Sequence, residues 1–332
     1  MAIKVAINGL GRIGKCVARI IADRDDVELV AVNVSGSEES IQYMMRYDSV
    51  QGHRDDVTVA DGYLMIGNEK AKIISEREPA KVNFAEYGAE LVLECTGAFL
   101  TMESVQCHID SGIKKVLFSA PAKDDTPTFV IGANENEYAG QAIVSNASCT
   151  TNGLAPLAKV LDDNFGIQAG LMTTIHSYTA SQPILDGKHK SDPRKGRSGA
   201  LNLVPSTTGA AKAIAKVLPN LAGKLNGQAI RVPTPDVSIV DLTVTLNKNV
   251  TLEEVKAAFT TASEGSHKGI LAVDEEYRVS QDFVGEAHST VVAMDTIQVI
   301  DENMVKVLSW YDNEWGYSCR LVDMAVHISQ KQ

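Results

Sequence analysis

Cys149 and His176 are the side chains of this sequence best placed for nucleophilic chemistry. Cys149 stands in Ser145-Asn146-Ala147-Ser148-Cys149-Thr150-Thr151-Asn152, after the apolar stretch 142–144 and before Leu154, Leu157 and Leu161 at helical spacing. The pattern predicts strand, turn and helix, with Ser148 as N-cap and Cys149 in the first helical turn. Unpaired N–H groups at a helix start favour an anion, so the Cys149 thiol is expected below its ordinary pKa. Pro156 cannot bond back to the carbonyl of Asn152, which predicts a local kink. His176 closes the strand pattern 171–176, where it can project beside the helix start as a base for the thiol.

A second motif sits near the amino terminus. Gly9-Leu10-Gly11-Arg12-Ile13-Gly14 follows the apolar stretch Lys4-Val5-Ala6-Ile7 and opens a helical pattern. In such a loop the first glycine makes a tight turn, the second admits a pyrophosphate and the third lets helix pack on strand. Gly9, Gly11 and Gly14 are therefore expected to bind a dinucleotide, its phosphates resting on N–H groups at the helix start. The acid that usually meets the adenosine ribose at the end of the second strand is missing: the chain reads Val32-Asn33-Val34-Ser35. A carboxylate near a 2′-phosphate would cost about 4 kcal/mol per charge pair at ~4 Å and an effective dielectric of ~20. Val34 removes that bar, so NADP is expected beside NAD.

These residues need rigid elements behind them. Strands are predicted at 4–7, 27–32, 91–93, 115–118 and 142–144, with a helix over 12–22 striped by Ile13, Cys16, Val17 and Ile20. Near-continuous apolar strands separated by helices indicate an α/β, Rossmann-type doubly wound parallel sheet. The second half alternates instead: Val240, Leu242, Val244 and Leu246 are spaced by Asp241, Thr243 and Thr245. That period of two, with long strands expected over 289–300 and 304–311, indicates an α+β catalytic domain with a largely antiparallel sheet. Thr251-Leu252-Glu253-Glu254 is a capping box opening a helix striped by Leu252, Val255 and Phe259. A last helix is expected from near Asn313, with Tyr317, Leu321, Met324 and Ile328 on its stripe. The expected division is a dinucleotide-binding domain over 1–148, with helix 313–332 packing back on it, and a catalytic domain over 149–312.

The chain has 332 residues, with 31 Lys and Arg against 42 Asp and Glu, a net charge of −11. That balance argues against nucleic acid or an anionic membrane as the main ligand, since both require a basic face. No apolar run approaches the ~18 residues of a membrane span, and no signal peptide is visible, so a cytoplasmic protein is expected. The five cysteines, Cys16, Cys95, Cys107, Cys149 and Cys319, are scattered, which makes a disulfide framework or a metal site improbable.

With these motifs in hand, the sequence resembles the phosphorylating glyceraldehyde-3-phosphate dehydrogenase family over its whole length. The resemblance rests on residues 8–14, 145–152, Ser206 to Ala213, Arg231-Val232-Pro233-Thr234-Pro235 and Trp310 to Tyr317. It implies that Cys149 attacks glyceraldehyde 3-phosphate to give a thiohemiacetal, with His176 as the base. A thioester then forms by hydride loss, and inorganic phosphate releases 1,3-bisphosphoglycerate. By the same resemblance Thr179 and Arg231 hold the substrate phosphate, and Ser148, Thr150, Thr208 and Gly209 hold the attacking phosphate. Arg12 and Ile13 line the pyrophosphate, Arg77 and Thr96 the adenosine, Ser119 the nicotinamide ribose and Asn313 the carboxamide. A homotetramer is implied as well.

The sequence departs from the family pattern in places. Val34 stands where NAD-preferring relatives usually carry aspartate. Gly187-Lys188 replaces Leu-Pro or Gly-Pro in a loop that approaches a neighbouring subunit's adenosine, and this loop is basic, with Lys188, Lys190, Arg194, Lys195 and Arg197 against Asp192. Val34 and Lys188 together are expected to admit NADP. Lys195 stands where many relatives have an arginine, and lysine offers a point charge without a bidentate fork. Gly153 replaces a second cysteine, so oxidation of Cys149 is expected to stop at a sulfenic acid or a mixed disulfide. Erythrose-4-phosphate dehydrogenase is the nearest alternative, against which the block from Ser206 to Ala213 counts. A non-catalytic redox sensor on the same fold is the other, against which Cys149 and His176 count together.

Overall fold

The apolar stretches of the first half become the centre of one sheet in the computed structural model, which describes residues 2–190 and 192–331. The described chain divides into two units, one from 1–130, 134–148 and 318–332, the other from 131–133 and 149–317.

The first unit contains β1 (Ile3–Asn8), α1 (Arg12–Ile21), β2 (Val27–Asn33), α2 (Glu38–Arg46), β3 (Val57–Ala60), β4 (Tyr63–Ile66), β5 (Glu69–Ile74), β6 (Leu91–Glu94), α3 (Met102–Asp110), β7 (Lys115–Phe118) and β8 (Ile143–Ser145). The sheet order is β3-β4-β5-β2-β1-β6-β7-β8. From β5 to β8 the strands run parallel. Val5, Ala6, Ile7, Leu91, Val92 and Leu93 are buried, as strands covered on both faces require. At the edge of this parallel sheet, β3, β4 and β5 add an antiparallel meander. β1 lies between β2 and β6, so the strand order reverses there, and a crevice opens beyond the carboxyl ends of these strands. The register sets Asn8 beside Asn33 and Glu94 at that crevice.

The second unit holds α4 (Cys149–Phe165), β9 (Ile167–Ser177), β10 (Val204–Thr207), α5 (Ala210–Val217), β11 (Leu225–Val232), β12 (Ser238–Leu246), α6 (Leu252–Glu264), β13 (Leu271–Asp274), β14 (Thr290–Ala293), β15 (Gln298–Ile300) and β16 (Met304–Tyr311). Its sheet order is β10-β11-β9-β12-β16-β14-β13, with β15 on β16. Most neighbours are antiparallel; β9 with β11 and β13 with β14 are parallel. Alternate residues of β12 are buried along its whole length, the signature of a sheet with one covered face. The capping box is formed: Thr251 accepts from the N–H of Glu254, whose carboxylate accepts from the N–H of Thr251.

Two local expectations change. The single strand expected over 289–300 is broken by a 3₁₀ turn at Met294–Thr296, where the Thr296 hydroxyl donates to the carbonyl of Ala293 at 2.8 Å. The last helix, α7 (Trp315–Gln330), starts after Asn313 because the Asp312 carboxylate accepts the N–H groups of Glu314 and Trp315 at 2.8 and 2.7 Å. Its residues from Ser318 onward belong to the first unit. α4 carries Pro156 in its interior without ending there.

Candidate active site

Strand register brings the reactive groups together. β9 and β11 run parallel with His176 opposite Arg231, and β12 pairs with β16 so that Ser238 faces Tyr311. Cys149 is the first residue of α4, and its Sγ lies 3.5 Å from Nε2 of His176. On the other side of the ring, Nδ1 is 2.8 Å from the carbonyl of Ser177. Arg231 Nη1 donates to the same carbonyl at 2.8 Å and stands 2.9 Å from Nδ1. With the Nδ1 proton on that carbonyl, Nε2 turns its lone pair toward the sulfur.

The electrostatics correct one expectation. The Cys149 thiol sits above its ordinary pKa, because burial of the sulfur outweighs Arg231, the Thr150 hydrogen bonds and the residue's own backbone N–H. Burial and the adjacent Arg231 push His176 down to about 3. The resting pair is therefore a neutral thiol facing a neutral imidazole, and proton transfer has to accompany attack on a substrate.

Tyr311, buried at the end of β16, braces this arrangement. Its hydroxyl lies 2.9 Å from Thr150 Oγ1 and 2.7 Å from Thr174 Oγ1, and its ring meets the His176 ring edge-on at 6.0 Å. Gly153 lies under the same ring; a Cβ there would come 3.1 Å from Tyr311 Cγ.

The first unit carries a separate cleft of about 500 Å³, lined among others by Gly9, Gly11, Asn33, Val34, Arg77 and Thr96. The three glycines differ in what surrounds them. Gly9 has φ +98°, and a Cβ on it would strike Thr96. A Cβ on Gly14 would lie 2.0 Å from the Gly9 carbonyl oxygen, so α1 crosses β1 at closest approach there. Gly11 meets nothing within 4 Å; its missing side chain leaves room for a ligand. Beneath the loop, Asn8 Nδ2 donates to the fully buried Glu94 at 2.6 Å and Asn33 Nδ2 to Asn8 Oδ1 at 2.7 Å. Glu94 also accepts from the Thr96 N–H and hydroxyl. A volume and lining of this kind suit the adenosine and phosphates of a dinucleotide.

Comparison with known proteins agrees. Residues 3–102 match the glyceraldehyde 3-phosphate dehydrogenase NAD-binding domain, and residues 148–313 match the C-terminal domain of the same enzymes. Glyceraldehyde-3-phosphate dehydrogenase A of Escherichia coli is 52% identical over 331 residues, covering 99% of this chain and 100% of the relative. The Salmonella typhimurium and Shimwellia blattae glyceraldehyde-3-phosphate dehydrogenases match to the same extent. The chain belongs to the glyceraldehyde-3-phosphate dehydrogenase family. Its first unit is an NAD-binding domain, and the chain is an oxidoreductase of glycolysis.

The remaining residues expected from the family resemblance fall in several places. Ser148 immediately precedes α4. The Thr179 hydroxyl is 2.9 Å from Ser181 Oγ, and Thr208 Oγ1 accepts from the N–H of Ala210 beside exposed Gly209 at the start of α5. Thr150 is buried, with its hydroxyl on Tyr311. Arg12 is ion-paired to Asp48, which also binds Lys15 at 2.7 Å, and Ile13 follows in the first turn of α1. The Ser119 side chain hydrogen-bonds Cys95. Asn313 Oδ1 accepts from Ser238 Oγ at 2.6 Å and lies 3.2 Å from Ser177 Oγ. Lys188 is exposed in a loop closed by the Gly187 N–H on the Gly196 carbonyl. Sequence reasoning passed over Tyr311, Glu94, Asn8 and Asn33. Asn8, Glu94 and Asn33 carried a signal, since each ends an otherwise apolar strand.

Proposed function

We propose that Cys149 is the nucleophile and His176 the base in phosphorylating oxidation of glyceraldehyde 3-phosphate. The supporting observation is the 3.5 Å contact between Sγ and Nε2 at the first residue of a helix, beside Arg231. Nε2 takes the thiol proton as Sγ bonds to the aldehyde carbon and passes it to the oxyanion that forms, which gives a thiohemiacetal and frees Nε2 to act as base again. The bound nicotinamide supplies the hydride acceptor. His176 then takes the hydroxyl proton of the thiohemiacetal, which leaves a thioester on Cys149. Inorganic phosphate attacks that carbon, the sulfur leaves with its electron pair, and the proton on Nε2 returns to it. With aldehyde and NAD but no phosphate, the acid-quenched enzyme should carry an acyl group on Cys149 by mass spectrometry, released when phosphate is added. An unmodified Cys149 under those conditions overturns the reading.

Thr179 and Arg231 are the proposed ligands of the substrate phosphate. Ser148, Thr150, Thr208 and Gly209 are those of the attacking phosphate, with Thr150 offering its backbone N–H because its hydroxyl faces Tyr311. On the cofactor side Arg12 and Ile13 lie along the pyrophosphate, Arg77 and Thr96 at the adenosine, Ser119 at the nicotinamide ribose and Asn313 at the carboxamide.

NADP is accepted beside NAD. Val34 lines the cleft with Ser35 and Arg77, and the one carboxylate of that lining, Glu76, is held by the N–H groups of Arg77 and Glu78. Lys188 adds positive charge from a neighbouring subunit of a homotetramer. Exposed Leu171, Ile184, Leu185, Leu201 and Leu203 favour such assembly, which light scattering tests. An NADP kcat/KM more than about a hundredfold below that of NAD, a gap of about 2.7 kcal/mol, would rule the cofactor reading out. Val34→Asp is expected to shift preference toward NAD.

A further inference from the structure

A pair of carboxylates lies beside the site with no part in the chemistry above. Asp236 and Asp312 are 2% and 1% exposed and hydrogen-bonded to each other. Two carboxylates in bonding contact cannot both be ionised, so one of them holds a proton. The surroundings decide which. Asp312 accepts three backbone N–H groups, from Gly285 at 2.8 Å, Glu314 at 2.8 Å and Trp315 at 2.7 Å, all of which favour its anion. Asp236 accepts from the N–H of Val237, and its contact with Asp312 raises its own pKa while lowering that of Asp312. The proton therefore sits on Asp236, which donates to Asp312.

The pair also joins the two segments that hold Asn313. On one side Val237 has φ +64°, a left-handed conformation that a β-branched residue rarely adopts, and its carbonyl accepts from Ser177 Oγ at 2.8 Å. Ser238 follows and donates to Asn313 Oδ1 at 2.6 Å, while Ser177 Oγ, its proton on the Val237 carbonyl, lies 3.2 Å from the same oxygen. On the other side Asp312 is the residue before Asn313 and caps α7. With both serines beside Oδ1, the Asn313 amide is left with Nδ2 to offer a ligand.

The geometry points to Asp236 as a positioning residue: in its protonated form it ties the Val237 turn to Asp312 and fixes Asn313 for the cofactor carboxamide. This rests on the carboxamide role proposed for Asn313 and is independent of the role of Cys149. Burial and the charges of Asp312 and Glu314 hold the Asp236 carboxyl far above the usual carboxylate range, so the link breaks in alkali. The other ionisable groups on elements packed around the pair are Glu314 at the start of α7, Glu286 and His288 after Gly285, Tyr311 on β16, and Arg231 and His176 beyond Ser177. Glu286 is held as an anion by His288, 2.7 Å away, and does not change over this range.

The test is NADH binding, read by fluorescence in the full-length Cys149→Ser enzyme from pH 7 to 9.5, where no thiol chemistry intervenes. Affinity should fall more than tenfold over that range. Asp236→Asn, which keeps a donor without a titratable proton, should bind within threefold of its parent at pH 7 and lose less than threefold by pH 9.5. Glu314→Gln removes one charge that raises Asp236 and should move the fall to lower pH. A fall in Asp236→Asn as large as in the parent overturns the proposal. So does a parent affinity that stays flat, or an Asp236→Asn protein with native circular dichroism whose binding at pH 7 is more than tenfold weaker. Loss of turnover in the Cys149→Ser enzyme bears on the nucleophile alone.

Discussion

The glycine loop and the thiol corner solve the same problem, holding a reactive ligand still, by opposite means. At the loop the backbone does it. Gly9 turns the chain, Gly14 lets a helix press on a strand, and Gly11 stays bare so that N–H groups reach the ligand. At the thiol corner side chains do it, and they come from far apart: Cys149 from α4, His176 from β9, Arg231 from β11 and Tyr311 from β16. Backbone machinery tolerates no added atoms. Side-chain machinery tolerates shape changes but depends on each donor and acceptor.

The largest effect should come from the side-chain corner. Cys149→Ser should lower kcat by at least about a thousandfold, and His176→Asn by about 10² to 10⁴, with melting temperatures close to that of the parent. A His176→Asn enzyme that kept most of its kcat would show that Nε2 does not take the thiol proton. Two glycine positions of the loop, the second and the third, then separate by kind. Gly14→Ala forces a Cβ to within 2.0 Å of a carbonyl oxygen and should destabilise the fold by about 3 kcal/mol or more, read by thermal unfolding. Gly11→Ala meets no protein atom, so its melting temperature should hold while cofactor affinity falls at least about tenfold, a loss of about 1.4 kcal/mol. If Gly11→Ala bound NAD normally, the bare face of Gly11 would not be where phosphate approaches.

A subtler loss is expected at Tyr311. Tyr311→Phe keeps the ring edge against His176 but leaves the Thr150 and Thr174 hydroxyls facing a void. Stripping a partner from buried hydroxyls costs about 1–3 kcal/mol, and the same change should lower kcat more than it raises KM, because Thr150 and His176 flank the reacting atoms. Unchanged stability would mean that the two threonine hydroxyls find other partners.

The contrast also explains what could be read from the chain alone. The loop is six consecutive residues whose spacing carries its mechanics, so Gly9, Gly11 and Gly14 were legible one by one. Cys149 was legible because a helix start is a local event. Tyr311 was not, since only the β12–β16 register brings it under α4, and register is not written in any short stretch. The lowered thiol pKa failed for the same reason. The helix start is local, whereas burial of the sulfur depends on everything packed over it. Asp312 shifted the last helix by two residues because the capping group sits five positions before Tyr317, the first residue of the apolar stripe that announces the helix.

The smallest predicted effect sets the units against each other in acid. His108, on α3 of the NAD-binding unit, is fully buried at 5.4 Å from the Phe84 ring, and neither ring nitrogen has a hydrogen-bond partner among the described residues. Burial lowers its pKa, so the folded protein binds fewer protons here than the unfolded chain. Its contribution is complete above the unfolded value of about 6.5 and is lost as pH falls below it. Asp236 has the reverse sign. Its folded pKa lies well above the unfolded one, so stability from that group declines as pH rises above about 4 through the raised folded value. His108→Leu should therefore flatten the loss of melting temperature between pH 7 and 5 and add about 1 kcal/mol near neutrality by removing an unpaired polar group. Asp236→Asn should flatten the curve on the alkaline side and, because the decline it removes begins near about pH 4, steepen the loss of melting temperature between pH 7 and 5, opposite to His108→Leu. If His108→Leu left the acid slope intact, the acid sensitivity of the fold would have to lie outside that histidine, and the two curves would no longer divide along the two units.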